Sequence, residues 1–163
     1  MLNIRKVMVP TAFYTHAGEL IRYAAGLAKA FQAELMVVNI INVRDIETLQ
    51  RASSYGTIIS DEQYVKLTED ERRQEIANLL EGVDFPADKV RIIFRIGHPA
   101  DALMQLAVEE NVDMIVMGIR DRSDFMHTFT GSVADRLFRR SPVTIVSFRD
   151  EKNAEHLRKR LKL

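Results

Sequence analysis

Apolar positions in this chain follow two rhythms, one strand-like and one helical, and the chain switches between them along most of its length. Ile4 to Val9 is a short β-branched run. Pro10 stops it, because proline has a fixed φ and no N–H to offer a neighbouring strand. From Thr15 to Phe31 apolar residues return at Leu20, Ile21, Ala24, Leu27, Ala28 and Phe31. This is the spacing of one helix face, with Thr15 placed as its N-cap. Ala33 to Val43 is dominated by Val, Ile and Leu, the pattern of a strand covered on both faces, so it is assigned to the interior of a parallel sheet.

Arg44 to Ser60 has no clean period and contains Ser53, Ser54 and Gly56. It reads as an irregular connection of lid-like length, with room for a short helical piece. Asp61 to Leu80 sets Tyr64, Leu67, Ile76 and Leu80 among many charges, which predicts a solvated amphipathic helix ended by Gly82. Val90 to Ile96 is a third strand, Pro99 to Glu110 a helix, and Val112 to Met117 a fourth strand closed by Gly118. Ser132 to Arg139 is a short helix broken by Pro142, and Val143 to Phe148 is a fifth strand. Strands alternating with helices predict a doubly wound parallel sheet, since each right-handed crossover needs a helix between parallel neighbours. Ligands of such sheets bind beyond the carboxyl ends of the strands.

No internal repeat or low-complexity segment interrupts this order. The composition changes only after Arg149, where the tail reads DEKNAEHLRKRLKL. Acid first and base last suits a helix dipole, and Leu157 and Leu161 share one face. The tail is therefore read as a solvated helix, with packing against a partner subunit as the alternative. The expected organisation is one domain over residues 1–148 and a charged helical tail over 149–163.

A length of 163 residues suits a single core, and 47% hydrophobic with 28% charged residues argues against global disorder. Lys plus Arg equals Asp plus Glu at 23 each, so no net field favours a polyanion and no nucleic-acid partner is expected. The absence of cysteine excludes disulfides, thiolate catalysis and cysteine-bound metal. It is also consistent with a reducing cytoplasm. The longest apolar stretches, such as Leu35 to Ile41, fall well short of the roughly 20 residues that cross a bilayer. With no signal-peptide core at its start, the chain is expected to be cytoplasmic and without a membrane partner.

The chemistry concentrates in MGIRDRSDFMHTFTGSVADRLFRRSPVTIV, from Met117 to Val146. Gly118 closes a buried strand, a polar loop follows, and Gly131 and Ser132 open a helix containing Val133, Ala134 and Leu137. A helix N-terminus presents unpaired N–H groups, a glycine there lets a phosphate approach the backbone, and Ser132 can add a hydroxyl donor. An ordinary N-cap has the same composition, so this opening alone does not separate the two. A phosphoryl-accepting receiver would need acidic residues after the first strand and an aspartate after the third. Those places hold Pro10, Thr11 and Arg95, Ile96, Gly97. No paired carboxylates or metal-ligand spacing replace them. His98 precedes a helix and reads as a cap or an exposed side chain, His16 and His156 read as surface residues, and His127 is the one histidine in the loop. No catalytic or metal-binding residue is assigned, and the chain is not expected to be an enzyme.

These segments resemble the universal stress protein family over about residues 3 to 148. Val7, Met8, Val9, Pro10 and Thr11 are similar to the family's first strand, and AAGLAKAFQAELMVVNI to its first helix and second strand. Gly97, Pro99 and the run Asp113 to Met117 continue the likeness. Nucleotide-binding members carry a glycine, two residues, a second glycine, nine residues, then glycine with serine or threonine. Gly118, Gly131 and Ser132 match that pattern, whereas Asp121 stands at the second glycine. Members that bind ATP usually place an aspartate after the Pro-Thr pair, where this chain has Ala12.

The resemblance implies a three-layer α/β sandwich around a five-stranded parallel sheet of order 3-2-1-4-5, the adenine nucleotide alpha hydrolase-like fold. It also implies a homodimer through the last strand, Val143 to Phe148. Its nucleotide pocket maps to Thr11, Ile40 and Met117 on the base side, and to Gly118, Arg120, Gly131, Ser132 and Val133 around the rest of the ligand. Asp121 and Ala12 weaken that pocket, while Arg120, Arg122 and His127 either add positive charge to it or form a solvated loop with Asp121 and Asp124. Two readings follow. The first is a dimeric stress-response or regulatory protein that acts by protein contact, with weak or absent nucleotide binding and no certain cofactor. The second is an ATP- or AMP-binding switch using the Gly118 to Ser132 loop.

Overall fold

The structure is a computed structural model that describes residues 3–12, 16–53, 60–118 and 133–161. Five strands carry the architecture: β1 (Lys6–Pro10), β2 (Glu34–Asn42), β3 (Val90–Gly97), β4 (Met114–Gly118) and β5 (Thr144–Phe148). Between and after them run α1 (Ala17–Phe31), α2 (Val43–Ser53), α3 (Asp61–Leu80), α4 (Pro99–Glu109), α5 (Val133–Arg140) and α6 (Glu151–Arg160). A single 3-10 turn, Ala87–Lys89, leads into β3. All four strand pairings are parallel, in the order β3-β2-β1-β4-β5. The chain thus winds outward from β1 through β2 to β3, then returns to the other side of β1 for β4 and β5.

Alternate residues of each strand serve opposite layers. Val7, Val9, Leu35, Val37, Met114 and Val116 face a core filled by Leu20, Ile21, Ala24, Ala25 and Ala28 of α1 and Ile76 of α3. Met8, Met36, Val38, Ile115 and Met117 face the other core, filled by Leu103, Leu106 and Ala107 of α4 and Leu137 of α5. Helices on both faces make the three layers expected of a doubly wound sheet. Tyr23 of α1 meets Phe148 of β5 with ring centroids 5.0 Å apart, which extends the first core to that edge.

Two segments differ from the sequence reading. Val43 to Ser53 is a helix, α2, longer than the short piece read into an otherwise irregular connection. Buried Ile46 and half-buried Val43 and Leu49 lie three residues apart on one face of it, a stripe hidden in the sequence by assigning Val43 to the preceding strand. In α3, Leu67 is 61% exposed, whereas Ile76 is the one buried residue. That helix starts where Ser60 accepts from the Gln63 backbone N–H while the Gln63 side chain accepts from the Ser60 N–H, a reciprocal cap. It ends at Gly82, whose φ of +74° favours a residue without Cβ. The proposed N-cap Thr15 and the Ser54 and Gly56 positions lie outside the described residues. His16 stands at the N-cap position of α1 and makes no side-chain cap bond.

The amino ends of the strands are tied by charge. Asp113 accepts from the Arg5 and Lys6 backbone N–H groups, and Arg91 bridges Glu34 and Glu110. The Arg91 hydrogen bond holds the Glu110 carboxyl below its ordinary range, against partial burial and with help from the charges of Arg91 and Lys6. This end is a structural clamp. The chemistry belongs at the other end.

Candidate functional site

In a sheet of this order the winding direction reverses between β1 and β4. The chain leaving β1 crosses to the α1 layer and the chain leaving β4 enters the α5 layer, so a crevice opens at their carboxyl ends. Thr11 stands at its β1 edge and Gly118 at its β4 edge. Thr11 is 5% exposed and continues the ladder by donating its N–H to the Val38 carbonyl at 2.8 Å. Its Oγ1 is buried and has no hydrogen-bond partner among the described residues. An orphaned hydroxyl of this kind costs stability.

Next to Thr11 lies a polar chain that crosses the end of β2. Asn39 is 3% exposed and shares a layer with Val37, on the side covered by α1 and α3. Its Nδ2 donates to the Thr11 carbonyl at 2.9 Å, and its Oδ1 accepts from Nη1 of Arg72 at 2.7 Å. The two partners fix the amide's orientation, because a flip would set carbonyl against carbonyl and amine against guanidinium. The same Arg72 nitrogen donates to the Ile40 carbonyl at 3.3 Å. Val38 directs its carbonyl towards β1, so Ile40, two residues on, directs its own the same way, past the last β1–β2 rung. Arg72 is brought there by α3, which is seated by Ile76 one turn later and by Arg73 over the Phe94 ring at 4.8 Å.

The candidate residues divide as follows. Thr11, Ile40, Met117 and Gly118 gather at the carboxyl ends of the three adjacent strands β2, β1 and β4, with Ile40 and Met117 packed in the same core. Val133 begins α5 and is exposed. Arg136, one turn on, donates from Nη2 to both oxygens of Asp101 at 2.9 and 3.0 Å, tying the start of α5 to the first turn of α4. Arg120, Gly131 and Ser132 lie outside the described residues, as do Asp121, Arg122, Asp124 and His127. His98 is at the N-cap position of α4, exposed and without a side-chain cap bond. No group of three or more His, Asp or Glu side chains among the described residues could hold a metal ion.

One histidine is placed differently from its reading as a surface residue. His16 is half-buried, with Nδ1 3.2 Å from Glu19 and Nε2 3.8 Å from Asp150. Asp150 is buried and caps α6 by accepting from the Asn153 N–H. Burial pushes its carboxyl up, but the Asn153 hydrogen bonds and the His16 charge outweigh that and leave it below its ordinary value. Beyond this cap α6 runs exposed, Leu157 and Leu161 included.

The carboxyl-end crevice at a reversal point of a 3-2-1-4-5 sheet agrees with the comparison against family models, in which residues 3–149 match the universal stress protein family. The chain belongs to that family. The universal stress protein MJ0577 of Methanocaldococcus jannaschii is 26% identical over 153 residues, covering 87% of this chain and 94% of that one. A universal stress protein of Methanothermobacter thermautotrophicus is 28% identical over 145 residues, covering 86% and 92%. The solved structure of MJ0577 superposes with a TM-score of 0.65 at 23% identity, over 92% of this chain and all of that one. The universal stress protein of Archaeoglobus fulgidus in complex with dAMP superposes with a TM-score of 0.59 at 17% identity, over 91% and 100%.

Against an adenine nucleotide, the described residues of the crevice fit only in part. Thr11 offers an unused hydroxyl, and Gly118 adds no side chain at the β4 edge. On the side that the resemblance maps to the base, the Ala12 side chain is only a methyl, and the Ile40 carbonyl already accepts from a cation. Sequence reasoning missed Asn39 and Arg72. A lone amide within the run LMVVNII was the signal for the first, since a buried polar group needs a partner.

Proposed function

We propose that this family member is a dimeric stress-response or regulatory protein that acts by protein contact, with weak or absent binding of adenine nucleotides. The observation that carries this reading is the base side of the crevice, where Arg72 holds the Ile40 carbonyl and the Ala12 side chain supplies no acceptor. Loss of an aspartate at that position removes one or two hydrogen bonds of about 0.5–1.5 kcal/mol each. That is up to about two decades of affinity. The Archaeoglobus fulgidus complex makes adenine nucleotides the ligand class to test.

The dimer contact is assigned to β5. Among the described residues it is an edge strand paired only with β4, and Ile145, Val146 and Phe148 are left half-buried. An open edge with apolar side chains gains from being covered by its own copy across a two-fold axis. The partner that receives the output is a protein of unknown identity. The working compartment is the cytoplasm, with no nucleic-acid or membrane partner; none of the helices among the described residues is long and apolar enough to cross a membrane. The protein is read as a non-enzyme with no metal.

One observation favours the second reading, an ATP- or AMP-binding switch using the Gly118 to Ser132 loop: the buried Thr11 hydroxyl lacks a partner beside the crevice. A thermal-shift series with ATP, AMP and no ligand separates the two, because a ligand that binds only the folded state raises its melting temperature. Little or no shift is expected, with a dimer in sedimentation. A rise of several degrees at sub-millimolar ATP favours the switch, and a monomer at micromolar protein removes the β5 contact. Phosphate release from ATP that disappears on changing His127 or Ser132 would make the protein an enzyme.

A further inference from the structure

We propose that Arg72 determines ligand specificity in this chain: its guanidinium closes the base side of the crevice to adenine by holding the Ile40 carbonyl. This rests on the reading that the crevice is a nucleotide site with a weakened hold. It adds the cause on the described side of that site.

The argument is one of donors and acceptors. Past the end of β1, the Ile40 carbonyl is the next main-chain acceptor of β2 facing the crevice. An adenine edge presented there offers its exocyclic amine, a donor that needs such an acceptor. Arg72 already holds one of that oxygen's two lone pairs and sets a guanidinium, which has donors only, beside the other. The incoming amine therefore meets a cation next to the lone pair that is left, donor against donor.

The guanidinium is also difficult to move. Its 2.7 Å bond to Asn39 is charge-assisted and part-buried, and Asn39 in turn holds the Thr11 carbonyl. Swinging Arg72 aside leaves the Asn39 oxygen buried without a donor, a penalty any base entering from that side must offset. Asn39 and Arg72 are 33 residues apart in sequence, so the device depends on α3 docking over β2.

The test compares the full-length parent with Arg72→Met and Arg72→Lys. Binding of AMP, ATP and inorganic tripolyphosphate is measured by calorimetry, and each variant's fold is checked by circular dichroism melting. Methionine removes the cation. Lysine keeps the charge and, with its shorter reach, is expected to hold Asn39 at 2.7 Å but release Ile40 at 3.3 Å, so at least this variant retains the buried partner. Both variants are expected to bind AMP and ATP about tenfold more tightly than the parent, the scale of a regained hydrogen bond. Tripolyphosphate, which has no base, should stay within about twofold, well inside the step of one contact. Unchanged or weaker nucleotide binding in a folded variant overturns the proposal, and weaker binding makes Arg72 a ligand contact. An equal gain for tripolyphosphate also overturns it, because the effect would then not be at the base. The reading under Proposed function fails on a different number, the parent's own affinity for ATP.

Discussion

Replacing Thr11 by valine should stabilise the protein, although it removes a polar atom. Thr11 is 5% exposed, its backbone N–H and carbonyl are both paired, and only Oγ1 lacks a partner. In protein mutational data a buried hydroxyl without a hydrogen bond costs about 1–3 kcal/mol. Valine keeps the β-branch, so side-chain entropy and backbone preference change little. The net expectation is a gain of about 1 kcal/mol, equivalent to about 2–4 °C in melting temperature for a domain of this size. Thr11→Ser keeps the hydroxyl and loses a methyl, and should cost about 0.8 kcal/mol. Urea unfolding gives all three stabilities from the midpoints, provided the slope m is the same. The order Val, Thr, Ser is the signature of an orphaned hydroxyl. Threonine above valine would mean that Oγ1 is hydrogen-bonded in the free protein, and the reasoning would be wrong.

Two further perturbations test how the site is held. Ile76→Ala removes the single buried anchor of α3 and should cost about 2–5 kcal/mol; because Arg72 lies one turn away on the same helix, hydrogen exchange should also speed up around Asn39. A loss under 1 kcal/mol would mean that α3 is held by other contacts. Asp150→Asn keeps an oxygen to cap α6 and removes the ionisation, together with the second oxygen that accepts from Asn153 Nδ2. A carboxyl whose folded value is depressed contributes stability above its unfolded value, and that contribution is lost as pH falls through the folded one. The parent should therefore lose stability more steeply than the variant as pH drops below the ordinary aspartate range. Parallel curves in denaturant titrations across that range would remove Asp150 from the account.

Most of the fold was legible because its signals are local. Continuous apolar runs marked β2 and β4, Pro10, Gly82 and Pro142 marked boundaries, and the helix–strand alternation dictated a parallel sheet. Strand edges moved by one or two residues, as in β4, which begins at Met114 where the apolar run begins at Val112. That run's first residue is buried below the ladder without joining it. α2 escaped because its stripe of Val43, Ile46 and Leu49 is short and its first member was taken as the end of β2. The sheet order came from the family resemblance, since alternation alone does not say which neighbour each strand chooses.

The site was legible only where chemistry sits next to a strand end. Thr11, Ile40, Met117 and Gly118 could be named because the family resemblance maps them, and the structure gathers them near the carboxyl ends of β2, β1 and β4. Arg72 could not. Within DERRQEIANLL it is one of two adjacent arginines in a charged helix face, and nothing in their order tells which one turns inward. The structure separates them: Arg73 covers Phe94 at the sheet edge, whereas Arg72 reaches the buried amide of Asn39. The distinction arises from what lies to either side of Ile76. The two arginines precede it by four and three residues, so the helix that buries Ile76 directs both towards the sheet. Among the described residues, Asn39 is the buried polar side chain of the strand beneath α3, and a buried amide oxygen requires a donor. The amide thus selects between the two arginines, and the arginine it takes selects which acceptors at the crevice remain open.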